Sequence, residues 1–243
     1  MESHYTAVSR PARRAVTLGD MRRTVSLASA LVLLLASVAG AARTVVEDWT
    51  AQPLGAHGIP AGWRAYATLG GRPAYDFVLT EDGGLRALSL HARDEHSTIA
   101  REIHVDLEAT PILEWSWKIV ELPAGADVRA RATSDLTAHV LVVWPRFPEA
   151  LRSRVIAYAW GTTEPAGAVE QSRKTWMVTF FILRSGGESL GRWVTERRDV
   201  VEDYRRVYGE QPESPRAIAI SIDTNDTHGS AAALIGPIAF TTR

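Results

Sequence analysis

The sequence predicts an all-β, single-domain sandwich of the jelly-roll kind, with one short amphipathic helix packed on it. Three observations carry that expectation. Residues 44–243 hold about ten runs with strand alternation, separated by Gly- and Pro-rich turns. Two runs, 138–144 and 176–183, are apolar on both faces, as central strands covered on both sides must be. A single segment, 199–209, has helical spacing. No linker, repeat or low-complexity stretch divides residues 42–243, so one domain is expected. A closed β-barrel is the alternative, but an outer-membrane barrel is disfavoured, because strands apolar on both faces leave no polar lumen.

In chain order, Thr44–Trp49 opens the domain as a short strand, and a loop containing Pro53, Gly55, Gly58 and Pro60 leads to an extended piece at Gly62–Arg64. Tyr75–Leu79 and Leu85–Leu90 flank Glu81-Asp82-Gly83-Gly84, a strong hairpin turn. Ser97–Leu107 alternates, with Ile99, Ile103, Val105 and Leu107 on one face and Arg101 as the misfit among them. Ile112–Val120 is the clearest strand: Leu113, Trp115, Trp117 and Ile119 line one face, and Glu114, Ser116 and Lys118 the other. Trp115 and Trp117 therefore belong in the core. Ile156, Tyr158 and Trp160 share a face of the strand 154–161, and a further strand spans 191–197. In the helix, Asp199 caps and Glu202 completes a box-like start. Val200, Val201, Tyr204, Val207 and Tyr208 form the apolar stripe, and Gly209 supplies the stop. The chain returns to strand at Ile218–Ile222 and ends with 231–240.

The N-terminus lies outside this fold. Arg22 and Arg23, the apolar run 25–39 and Ala39-Gly40-Ala41 read as a secretory signal peptide spanning residues 21–41, which implies a periplasmic or secreted protein. The run is short for a membrane span, although a retained anchor is the other reading. Residues 1–20 are either an over-called start or a disordered extension. The whole chain carries a formal charge of −1 and has no cysteine. Without residues 1–41 it keeps 22 basic and 26 acidic residues, which excludes a basic surface for nucleic acid. About 200 residues bury enough core to fold without disulfides.

Three places can carry chemistry. Ile218, Ile220 and Ile222 alternate into a turn, Asp223-Thr224-Asn225-Asp226-Thr227, which carries seven side-chain oxygens. Its spacing is not that of a calcium loop, so no metal is expected; Asp223, Asn225 and Asp226 are assigned to ligand contact. Asx-turns with their own backbone are the bland alternative. Glu196, Arg197, Arg198 and Asp199 mark a strand-to-helix junction where carboxylate and guanidinium groups can bind a sugar or an anion, or simply cap the helix. Trp160 and Trp193 border polar loops and are the tryptophans expected to be exposed for ring stacking. His91 and His96 bracket a charged loop and match no zinc spacing, and His139 reads as a satisfied core histidine. No cofactor fingerprint or G-x-S-x-G elbow is present.

The ordered set Leu113-Glu114-Trp115-Ser116-Trp117-Lys118, Pro123 to Asp127, Tyr158-Ala159-Trp160-Gly161, Leu183 to Gly186, Glu196 to Val200, Asp203 to Arg206, Tyr208-Gly209 and Asp223 to Thr227 resembles the bacterial "domain of unknown function 3047" family. The family's D-T-D-N-T turn differs in order here, His139 stands in place of a usual Arg, and Gly236-Pro237-Ile238 lacks the family's late carboxylate. The resemblance implies an exported protein without an assigned activity.

The leading expectation is a non-catalytic binding sandwich for a glycan or another small polar ligand, without cofactor, nucleic-acid partner or membrane span after cleavage. Two rivals remain open. One is an envelope polysaccharide hydrolase using a carboxylate pair among Glu114, Glu196 and Asp223. The other is a cell-envelope scaffold that docks a partner on the helix.

Overall fold

The computed structural model describes residues 42–66 and 73–243. The expected leader at 21–41 and the segment before it lie outside the described residues. In chain order the elements are β1 (Arg43–Glu47), β2 (Arg64–Ala65), β3 (Asp76–Asp82), β4 (Leu85–Arg93), β5 (His96–Glu102), β6 (Ile112–Glu121) and β7 (Leu136–Trp144). There follow α1 (Glu149–Arg152), β8 (Arg154–Gly161), β9 (Val169–Gln171), β10 (Val178–Ser185), β11 (Val194–Asp199), α2 (Val200–Tyr208), β12 (Ala217–Asp223) and β13 (Ser230–Thr241). The first sheet has the order β11-β6-β13-β4-β3, with β1 also paired to β13. The second has the order β2-β5-β12-β7-β8-β10-β9. Among the described residues every strand pairing is antiparallel except β8 with β10.

Alternation in β6 and β8 makes the sandwich. Leu113, Trp115, Trp117 and Ile119 turn inward from the first sheet and meet Ile156, Tyr158 and Trp160 of the second, all essentially inaccessible to solvent. Trp115 stacks on Tyr158 with ring centroids 5.3 Å apart, and Trp117 meets Trp160 edge-on at 5.9 Å. Sheets packed face to face stand roughly 10 Å apart, and large aromatic rings fill that gap. The packing carries a cost, because the indole N–H groups of Trp115 and Trp117 are buried without a hydrogen-bond partner. Each orphaned donor forfeits about 1–3 kcal/mol. Burial of the rings outweighs it.

Local signals place the rest. Gly83 and Gly84 adopt φ of 62° and 80° between paired Asp82 and Leu85, the double positive φ of a two-residue hairpin turn. Helix α2 starts where Asp199 accepts from the Val201 and Glu202 amides and stops at Gly209 with φ 71°. Its buried Asp203 accepts from Tyr158 Oη at 2.9 Å and from Arg198 Nε at 2.9 Å, which pins the helix to both sheets. Arg101, the misfit in the alternation, leaves the core to pair with buried Glu47. The apolar run 176–183 becomes strand only from Val178, and Trp176 lies outside it at 61% exposure.

Replacing Trp117 with Ala should cost about 3–5 kcal/mol in urea unfolding, from lost burial and the cavity left behind. Asp199→Ala should cost about 1 kcal/mol through loss of the cap. A Trp117→Ala variant as stable as the parent would show that the inter-sheet rings do not hold the sandwich.

Candidate functional site

In β12 the side chains of Ile218, Ile220 and Ile222 point into the core, so Ala217, Ala219, Ser221 and Asp223 occupy the outer face of the second sheet. Register then assembles a polar row at one end of that face. Thr98 and His139 stand on either side of Ser221, and His96 stands opposite Asp223. Thr98 Oγ1 and Ser221 Oγ lie 2.6 Å apart, and His96 Nε2 lies 3.1 Å and 3.2 Å from them. His139 Nδ1 is 3.0 Å from the Thr137 carbonyl, so the histidine is buried and bonded as expected, but on the outer face of the sheet and not in the core between the sheets.

The turn after β12 is fastened from two sides. The Thr224 amide donates to the Glu95 carbonyl at 2.8 Å, and Thr224 Oγ1 accepts from the Glu95 amide at 3.2 Å. Fully buried Asp135 accepts from the amides of Asp226 (3.0 Å) and Thr227 (2.7 Å) and from Thr227 Oγ1 (2.6 Å). Lys174 closes the cluster. Its Nζ lies 3.4 Å from Asp223 Oδ2 and also pairs with Asp226 Oδ2, outside hydrogen-bond alignment in the second case. Asn225 Oδ1 is buried without a partner.

Reaching that position takes Lys174 across the sheet. It precedes β10, which stands three places from β12 in the strand order. Val178, at the start of β10, is level with Val155, Val143 and Ala217, the end of the sheet away from Asp223. The loop 172–177 therefore sends Lys174 toward β12 over the outer face, while its last residues stay beside β8 and β9. The Trp176 carbonyl accepts from Gln171 Nε2 and the Met177 carbonyl from the Val155 amide, both at 2.9 Å, and the Trp176 side chain is exposed.

Burial governs the electrostatics. It pushes the Asp223 carboxyl up to about 7, against the charge of Lys174. Burial, then Lys174, brings His96 down to about 4, and burial does the same to His139, so both imidazoles are neutral at pH 7. Burial also works against the Lys174 ammonium, but the charge of Asp223 and the contact with Asp226 outweigh it and raise its pKa. The result is a compact, largely buried network of donors and acceptors, in which Thr98, Ser221, Asp223 and Asp135 are all covered from solvent. Among the described residues no group of three or more His, Asp and Glu side chains is placed to hold a metal.

The structure brings Asp223, Asn225 and Asp226 together but separates them from the other expected site residues. Glu196 and Arg197 lie on β11, at the edge of the first sheet. Glu196 pairs with Arg184 at 2.5 Å and Arg197 with Glu114 at 2.6 Å. Glu196 stands opposite inward-facing Trp115, whereas Glu114 is on the outer face, so the two carboxylates point to opposite sides of the sheet and do not form a pair across one bond. Trp160, expected to be exposed, is a core residue with 1% exposure; its alternation with Tyr158 and Ile156 turns it inward, and its Nε1 donates to the Gly186 carbonyl at 3.0 Å. Trp193 is half-buried, donating to Asp82 Oδ2 at 2.7 Å beside the β3–β4 turn. His96, read from sequence as part of a solvated loop, begins β5 and is mostly buried. Lys174, Asp135 and Trp176 were missed. No local pattern marks Lys174 or Asp135, because their partners lie 49 to 92 residues away.

A family model described as "Protein of unknown function (DUF3047)" matches residues 61–239. Among curated proteins the chain has no sequence match. Among solved structures it is similar to the family 11 carbohydrate-binding module of the Clostridium thermocellum cellulosomal cellulase Lic26A-Cel5E, at 9% identity and a TM-score of 0.44, covering 84% of this chain and 97% of that one. It is also similar to the xyloglucanase domain of NopAA, a type three effector from Sinorhizobium fredii, at 11% identity and a TM-score of 0.40, with 75% and 99% covered. The mannan-recognising module TmCBM27 gives 12% identity and a TM-score of 0.39, with 84% and 99% covered. At such scores the sandwich rests on its own strand order and register.

The buried groups predict opposite pH effects. Asp223 holds its proton more tightly in the fold than in the unfolded chain, so its contribution to stability is full below about pH 4 and is lost as pH rises to about 7. His96 and His139 contribute above their ordinary value of 6.5, and that contribution is lost as pH falls to about 4. In thermal melts across this range, His96→Gln should lessen the acid-side loss. Asp223→Asn should melt above the parent at mildly alkaline pH and converge with it in acid. A gap between Asp223→Asn and parent that does not change with pH would rule out the burial account.

Proposed function

We propose that this chain, which belongs to the DUF3047 family of proteins of unknown function, is an exported, non-catalytic glycan-binding sandwich. Its ligand lies on the outer face of the second sheet, along the loop 172–177, whose Lys174 caps the buried polar row His96, Thr98, Ser221 and Asp223. One observation carries this reading: Trp176 is 61% exposed on the same loop whose Lys174 completes the polar cluster. Sugars present apolar C–H faces and hydroxyl edges, and a solvent-facing indole offers the first of these a surface to stack on. The likeness to carbohydrate-binding modules is compatible with this reading and does not carry it.

The family sequence adds no reaction, and the opposite orientations of Glu114 and Glu196 remove one carboxylate pair from the hydrolase alternative. Helix α2 spends its apolar stripe on the core through Val200, Val201 and Tyr204, which leaves a charged outer face in place of an apolar docking stripe. Export rests on the leader at residues 21–41.

Glycan-array screening followed by calorimetry tests the binding site. Trp176→Ala should weaken glycan binding at least tenfold, about 1.4 kcal/mol, with an unchanged melting temperature because the side chain is exposed. Folded protein that no glycan retains would overturn the reading. For export, N-terminal sequencing of periplasmic protein should begin at Ala42; unprocessed protein confined to the cytoplasm would overturn that part.

A further inference from the structure

A concave site lies at the end of the second sheet away from Asp223. The start of the β7–β8 connection and the segment between α2 and β12 enclose a cleft of about 400 Å³ lined by Trp144, Pro145, Arg146, Glu213, Ser214 and Arg216. Two hydrogen bonds fix its walls to the end of β7. Trp144 Nε1 donates to the Glu213 carbonyl at 2.8 Å, and the Arg216 amide donates to the Val143 carbonyl at 2.9 Å.

The guanidinium groups around the cleft outnumber their acceptors. Arg146 Nη2 donates to Tyr204 Oη at 3.1 Å and to Glu210 Oε1 at 3.0 Å. Arg154 Nη1 uses the same two acceptors, at 2.6 Å for Tyr204 Oη, while its guanidinium lies 4.4 Å from the Tyr208 ring centroid. A single carboxylate thus answers two arginines. Among the described residues Arg146 Nε and Nη1 have no partner, and Arg216 has no ion pair. Arg146 and Arg154 share the one carboxylate of Glu210, and Arg216 lines the same cleft without an ion pair among the described residues, which leaves positive charge uncompensated at a concave surface.

Arg146 is held in place on one side and unengaged on the other. A planar guanidinium in that state matches the two oxygens of a carboxylate or phosphate, and the ordering cost is largely met before a ligand arrives. Phe147, adjoining Arg146 in sequence, is 88% exposed and offers an apolar face for the remainder of a ligand. The cleft's volume matches sites for small molecules, which run from roughly 300 to 1,000 Å³.

We propose that this cleft binds one oxyanion, the carboxylate or phosphate of a sugar-sized ligand, between the guanidinium groups of Arg146 and Arg216. The cleft is built from residues other than the loop 172–177 that carries Trp176. Calorimetric titration of the full chain with glucuronate, glucose 1-phosphate and neutral glucose tests it. At least one anionic sugar should bind tenfold or more tightly than glucose, and the preferred one identifies the carboxylate or the phosphate. Arg216→Gln should weaken that binding at least tenfold without moving the melting temperature, since its side chain is exposed. Glu210→Gln, which leaves the charges of Arg146 and Arg154 unanswered, should tighten it several-fold. Trp176→Ala should leave it unchanged, so loss of glycan binding and loss of anion binding are separable. Equal binding of glucose and both anions, no binding of either anion at millimolar concentration, or an Arg216→Gln variant that binds like the parent would overturn the proposal.

Discussion

The protein depends on a contact between two strands that lie in different sheets. Trp115 and Trp117 of β6 meet Tyr158 and Trp160 of β8 across the sandwich. These four rings set the separation of the sheets and exclude water from the interior. Tyr158 extends the contact outward, because its hydroxyl donates to Asp203 of α2, which also accepts from Arg198 of β11. One tyrosine thereby links the second sheet, the helix and the edge of the first sheet. The two unpartnered indole N–H groups show that ring packing was favoured here over hydrogen-bond satisfaction.

A closed interior sends binding chemistry to the outer faces, and the second sheet has the means to hold it. Asp223 ends a strand whose other residues are buried, so its carboxyl inherits the low-polarity surroundings of the strand. Turning the chain there would leave a charge in a dry place, and Lys174, arriving from a distant loop, supplies the counter-charge. That loop delivers Trp176 to the surface at the same time. The polar cluster and the exposed ring are therefore consequences of one crossing, not two separate adaptations.

At the opposite end of the sheet the arrangement inverts in sign. Acidic groups surround one lysine near Asp223, whereas arginines surround one glutamate near Glu210. The expected cluster at Glu196 and Arg197 proved to be a set of closed ion pairs along an edge strand. With both carboxylates, Glu196 and Glu114, already answered by arginines, these pairs leave few acceptors for a ligand. Charge density alone was a poor guide; what distinguishes the two candidate sites is a mismatch between a group and its partners.

By itself the sequence determined the sandwich, its inward Trp115 and Trp117, the Gly83-Gly84 hairpin, the capped helix and the family, because each follows from periodicity or from contacts within a few residues. It also marked Asp223 to Asp226 as a place where a core strand ends in acceptors. It misplaced Trp160, whose neighbouring loop looked polar although its alternation with Tyr158 turned it inward, and it put Trp176 inside a strand that begins two residues later. Only the tertiary structure decided what surrounds Asp223. Lys174, Asp135 and His96 come from three separate stretches of chain and meet through strand order and register. Burial, which fixes the protonation of Asp223 and His96, is a property of the folded assembly that no local pattern of residues encodes.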